Sequence, residues 1–99
     1  MCLVKIGDIV RRVGANCELL VFGSFLDPGF QSNDLDLIIR FSDGEWRDAQ
    51  RLALAVSDAY GAWCDLTVLS VSEDDAIGFS KEVGALPLAR VLQDIQDEC

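Results

Sequence analysis

The sequence predicts a small α/β (α+β) domain, with a three-stranded mixed sheet and helices packed on one side. Short apolar runs of strand length alternate along the chain with longer stretches whose apolar residues recur at helical spacing. Glycines and helix-capping residues separate these stretches. The 99 residues are 51 % hydrophobic and contain no linker, repeat or low-complexity tract. We therefore expect one domain spanning residues 1–99.

The first half of the chain predicts one helix and two strands. Residues 3–13 carry apolar side chains at helical spacing, and Gly14 is placed to end that helix. The run ELLVFG at 18–23 predicts a short buried strand, and DLDLIIRF at 34–41 predicts a second one. Side chains alternate between the two faces of a strand. One face of the second strand then carries Leu35, Leu37, Ile39 and Phe41, and the other carries Asp34, Asp36, Ile38 and Arg40.

Capping signals place a long helix after the second strand. Residues 42–45 (SDGE) have the composition of a capping box and predict a helix over about 44–60 that Gly61 ends. Trp46 falls on the apolar stripe of this helix, so we expect its ring in the core.

The last third of the chain predicts a third strand and two more helices. The strand is WCDLTVLS at 63–70. The run 72–75 (SEDD) is a typical helix start, with acidic residues at the positive end of the helix dipole. Gly84 is placed to end that helix, and Pro87 to begin the last one.

Charge and composition exclude several classes of function. The formal net charge is −9, so the chain repels phosphate backbones and we expect no direct binding of nucleic acid. The sequence contains no histidine, which excludes every histidine-based acid–base or nucleophilic mechanism. Any catalysis must use carboxylates, hydroxyls, thiols, Lys, Arg or metal ions.

Cysteine usage and hydropathy suggest a cytoplasmic protein. The four cysteines form no Cys-x-x-Cys pair, so we expect reduced structural thiols rather than a zinc site or disulfides. No stretch approaches the ~20 apolar residues of a membrane span, and no signal peptide is evident. We expect no contact with membranes.

Three aspartates and a Gly-Ser pair carry the chemistry that the sequence suggests. Asp34 and Asp36 lie on one face of a strand, where two like charges are unfavourable unless a cation binds between them. Asp65 interrupts an apolar strand and can face the same cation if the two strands pair. Gly23 and Ser24 follow a strand, where backbone amides and a hydroxyl can hold phosphate oxygens.

Together these residues resemble the nucleotidyltransferase superfamily related to DNA polymerase beta. The likeness lies in Gly23-Ser24, then nine residues, then Asp34-Leu35-Asp36, then the later Asp65. The short length is similar to the minimal nucleotidyltransferases, which are often encoded beside a HEPN-domain protein in toxin–antitoxin pairs.

The resemblance implies an activity and a set of site residues. Gly23 and Ser24 would contact a nucleoside triphosphate, ATP being the expected substrate. Asp34 and Asp36 would bind two Mg²⁺ ions, and Asp65 would join one metal and assist the acceptor hydroxyl. The chain would transfer AMP to a hydroxyl of a HEPN-type toxin and so act as its antitoxin, in a homo- or hetero-oligomer.

Two other hypotheses about the function remain open. Many relatives place an Arg or Lys just after the Gly-Ser pair, whereas residues 25–33 contain no cation and add Asp27. This difference favours an antitoxin, or a nucleotide-binding module, that neutralises its partner by forming a complex and without catalysis. A regulatory domain that senses ATP without transferring it is a third reading.

Overall fold

A computed structural model describes residues 3–14, 16–22, 35–61 and 64–95 of the chain. Among these residues, no helix is both long enough and apolar enough to cross a membrane. The described elements, in chain order, are α1 (Leu3–Val13), β1 (Cys17–Phe22), β2 (Leu35–Phe41), α2 (Trp46–Tyr60), β3 (Cys64–Ser70), α3 (Val71–Ile77), α4 (Phe79–Glu82), β4 (Leu86–Pro87) and α5 (Leu88–Ile95).

The strands form one mixed sheet in the order β3-β2-β1-β4. β1 runs antiparallel to both β2 and β4, whereas β2 and β3 are parallel and are joined by the crossover helix α2. The mixed sheet is confirmed, but it has four strands in the described part, not three. The additional strand β4 comprises only Leu86 and Pro87, which pair with Val21 and Leu20.

One face of the sheet and three helices enclose the hydrophobic core. Leu37 and Ile39 of β2 point into it and are fully buried, as the alternation of that strand predicts. Apolar stripes of α1, α2 and α5 cover this face. Their buried members are Ile6 and Ile9 of α1, Ala49, Leu52 and Val56 of α2, and Leu88 and Val91 of α5.

The second face of the sheet is also covered, so the prediction of helices on one side is wrong. Ile38 is fully buried although it lies between Leu37 and Ile39 and points away from the core cluster. Arg40, on the same face as Ile38, pairs with Asp74 of α3 at 3.1 Å. The sequence did not reveal this second layer because the contact that brings α3 to the sheet joins residues 34 apart along the chain.

The start of α3 differs from the prediction by two residues. Ser70, not Ser72, is the N-cap: its hydroxyl accepts from the Glu73 amide at 3.0 Å. The Glu73 carboxylate in turn accepts from the Ser70 amide at 3.1 Å, which completes a capping box. Gly78, with φ of 68°, then ends α3 and separates it from α4, where one continuous helix was predicted.

The capping box predicted at 42–45 is absent from the described structure. Glu45 precedes α2 without a side-chain capping hydrogen bond, and Gly44 has a φ of 93° that only glycine adopts without strain. The Trp46 side chain is 55 % exposed and not in the core as predicted. Trp46 is the first residue of α2.

Candidate functional site

Two of the three predicted acids meet at the edge of the sheet where β1 ends and β2 and β3 begin. Asp36 and Asp65 are register partners in the parallel pairing of β2 with β3. Paired residues of neighbouring strands lie about 4.8 Å apart and point to the same face. The adjacent strands therefore place these two carboxylates side by side on the second face.

Burial and charge at this pair suit a hard cation. Asp36 is half-buried and Asp65 is exposed, so both carboxylates sit at the rim of the sheet rather than in the core. Asp65 takes part in no hydrogen bond or ion pair with another described residue. Adjacent carboxylate oxygens with access to water are the donors that Mg²⁺ prefers, because this ion keeps several of its waters.

The other predicted site residues lie outside the described part of the chain. Gly23 and Ser24 directly follow Phe22, the last residue of β1, and Asp34 directly precedes Leu35, the first residue of β2. Among the described residues, no three acidic or cysteine side chains group as metal ligands would. The roles predicted for Gly23, Ser24 and Asp34 therefore stay predictions.

The pKa of the Cys64 thiol responds to the charges of the carboxylate pair. Burial, followed by the charges of Asp65 and Asp36, raises the pKa of Cys64 to about 11. The thiol is free and packs against the core cluster. At neutral pH it is protonated and a poor nucleophile. Cys64 is thus a structural thiol, as expected from its apolar strand.

Replacing Asp65 by Asn is expected to lower the pKa of Cys64 without restoring its ordinary value. One of the two carboxylates that disfavour the thiolate is lost, while burial, the larger cause, remains. The rate of alkylation as a function of pH, in a variant whose only cysteine is Cys64, measures the change. Asp58→Asn, at an exposed position of α2, is the control. An unchanged midpoint in Asp65→Asn would show that the charge of Asp65 does not act on the thiol.

A buried ionic clamp, which the sequence did not predict, lies further along the same face. The Asp74 carboxylate is 1 % exposed and accepts from the Ser80 amide at 2.9 Å and the Ser80 hydroxyl at 2.6 Å. Nη1 of Arg40 donates to it at 3.1 Å. The bonds from Ser80, helped by the charge of Arg40, hold the pKa of Asp74 below its usual value against the effect of burial.

Comparisons with known proteins give one structural match. No protein-family model matches the chain, and no curated protein matches it either. A solved structure described as "putative nucleotidyltransferase" superposes with a TM-score of 0.53 at 16 % sequence identity. The match covers 77 % of this chain and 86 % of that one. At this identity the likeness concerns the fold alone.

Proposed function

We propose that this chain is a metal-dependent nucleotidyltransferase that transfers AMP from ATP to a hydroxyl of a partner protein. The partner would be a HEPN-type toxin, which the modification silences. One observation carries the proposal: Asp36 and Asp65, acidic residues of two separate strands, are register partners at the rim of a sheet with a nucleotidyltransferase-like fold. Like charges directly opposite each other on neighbouring strands are destabilising unless a cation lies between them.

Asp36 and Asp65, together with Asp34, are the residues that would hold Mg²⁺. Bound Mg²⁺, in a pair of ions, would neutralise the triphosphate and orient it for displacement. Without the ions, the two described carboxylates repel each other and the triphosphate alike. Gly23 and Ser24 would contribute amide and hydroxyl donors to the phosphate oxygens.

The remaining chemistry is positioning and proton removal. The acceptor hydroxyl oxygen forms a bond to the α-phosphorus, and the bond from that phosphorus to the oxygen bridging to the β-phosphate breaks. Pyrophosphate leaves with the electron pair of the broken bond. Asp65 is the exposed member of the pair and can take the proton of the hydroxyl.

Complex formation without catalysis is the second candidate. Residues 25–33 contain no Lys or Arg to contact phosphates and instead add Asp27. In that case the chain would cover the active surface of its partner, and the acids would be dispensable.

Intact mass of the partner separates the two candidates. The partner is recovered by co-purification and incubated with this protein, Mg²⁺ and ATP. We expect a mass gain of one or more AMP groups, which is absent with an Asp36→Asn/Asp65→Asn variant. A partner that stays unmodified, yet binds the wild-type and the variant chain equally and loses its activity, would contradict the proposed transfer.

A further inference from the structure

An aromatic side chain adjoins the acid pair. Phe22, the last residue of β1, is the register partner of Asp36 in the antiparallel pairing of β1 with β2. Directly opposed residues of neighbouring strands share a face. Asp65, Asp36 and Phe22 therefore form a row across three strands on the second face, with each step close to the strand spacing of about 4.8 Å.

A second aromatic ring extends this row away from the sheet. The Phe79 ring of α4 meets the Phe22 ring edge to face, with centroids 5.8 Å apart and planes at 85°. In an edge-to-face pair, one ring contacts the other by its edge. Both faces of that first ring are therefore left uncovered by its partner. Both side chains are only half-buried. The pair thus forms an apolar wall with aromatic faces beside two carboxylates.

The buried clamp fixes the place of Phe79. Gly78 turns the chain between α3 and α4, and Phe79 follows it directly. The next residue, Ser80, donates both its amide and its hydroxyl to Asp74, and Asp74 is tied to Arg40 of β2. Asp74 therefore connects β2 to the residue beside Phe79, and this connection holds the ring against Phe22.

We propose that Phe22 and Phe79 form the nucleobase platform of the site, with Asp74 as a positioning residue. The inference rests on the proposed function and adds where the nucleotide base lies. Every base has an aromatic face, and stacking on protein rings binds bases with little regard to their identity. The carboxylate row would hold the metal-bound triphosphate, while the ribose spans the short distance to the rings. The platform would accept ATP and GTP with similar affinity.

Binding of two probes to Phe79 variants tests the platform. Calorimetry measures the affinity of each variant for two probes in the presence of Mg²⁺. One is a non-hydrolysable ATP analogue, which has a base, and the other is tripolyphosphate, which has none. Phe79→Leu keeps an apolar side chain but removes the aromatic face, and Phe79→Tyr restores it. Trp46→Leu makes the same kind of change at an exposed ring of α2. Thermal unfolding first shows that each variant is folded.

In Phe79→Leu we expect binding of the ATP analogue to weaken on the order of tenfold, with tripolyphosphate binding unchanged. Phe79→Tyr and Trp46→Leu should bind both probes as the wild type does. Asp74→Asn should also weaken binding of the ATP analogue selectively, because the amide replaces the oxygen that accepts from Arg40 and the Ser80 hydroxyl and so holds the segment at Phe79 less firmly.

Two results would overturn the platform: unchanged binding of the ATP analogue in Phe79→Leu, or an equal loss for both probes. The proposed function fails by a different result, namely Mg²⁺–tripolyphosphate binding that persists in Asp36→Asn/Asp65→Asn. The two failures are therefore distinguishable in one set of titrations.

Discussion

The Asp36→Asn/Asp65→Asn variant is expected to lose the proposed nucleotidyl transfer by about 100-fold or more. Metal ions at such sites contribute several kcal/mol to the transition state, and each 1.36 kcal/mol corresponds to a factor of ten in rate. The variant should also lose its stabilisation by ligand. Mg²⁺ with a non-hydrolysable ATP analogue at a hundred times Kd stabilises a folded protein by about 2.7 kcal/mol. Thermal unfolding with and without the ligand measures this difference.

Asp65→Asn alone should have the opposite effect on stability when EDTA removes metal ions. Carboxylates directly opposite each other on adjacent strands repel each other, so loss of the Asp65 charge is expected to stabilise the metal-free protein by a few tenths to about 1 kcal/mol. Asp58→Asn, at an exposed position of α2, is the matched control and should retain both transfer and the ligand-induced shift. A variant that is less stable in EDTA and still responds to the ligand would show that the pair is structural.

Replacing Asp74 by Ala is expected to reduce the free energy of unfolding by about 3 kcal/mol. The change removes three hydrogen bonds to a side chain that is 1 % exposed, and it leaves Arg40 and Ser80 without their acceptor. Asp75, next in the same helix, is 69 % exposed and lies 3.9 Å from Arg40. Asp75→Ala should therefore cost well under 1 kcal/mol. Urea denaturation of the two variants checks this contrast, and equal losses would contradict it.

The contribution of Asp74 should also depend on pH. Its pKa is lowered in the folded state, so its stabilisation is present above the ordinary carboxyl pKa of 3.8 and lost as the pH falls through the folded value. Asp74→Asn removes the titration. The difference in unfolding free energy between wild type and Asp74→Asn should then shrink on acidification below about pH 4. A constant difference would mean that the charge of Asp74 does not matter.

Local patterns in the sequence predict most of the elements. The alternation in β2 separates Leu37 and Ile39, which are core residues, from Asp36, Ile38 and Arg40. The prediction that Asp65 could face the same cation depended on β3 lying beside β2, and the parallel register confirms that pairing. These successes share a cause, because period-two patterning and apolar runs are properties of the strands themselves.

The features missed from the sequence depend on contacts between distant segments. β4 is two residues long and includes a proline, so no periodicity marks it, and pairing with Leu20 and Val21 defines it. In the sequence, Asp74 has the features of an ordinary acidic residue at a helix start. That local role was enough to account for it, so nothing pointed to a distant partner. Its partner Arg40 lies in a strand 34 residues away in sequence, and no spacing rule connects the two. The one signal in the sequence was Arg40, a charged residue near the end of an otherwise apolar strand run, where an unpaired cation is unfavourable.

The parallel pairing of β2 with β3 has a consequence for folding accuracy. A slip of one residue between these strands would turn every side chain of β3 to the opposite face. Asp65 would then point with Leu37 and Ile39 into the core, where an unpaired carboxylate costs several kcal/mol. Leu66, which packs against that core, would face water instead. The charge of Asp65 therefore favours the correct register of β3 over a register shifted by one residue. The same charge that suits a cation in the folded protein disfavours the misaligned sheet during folding.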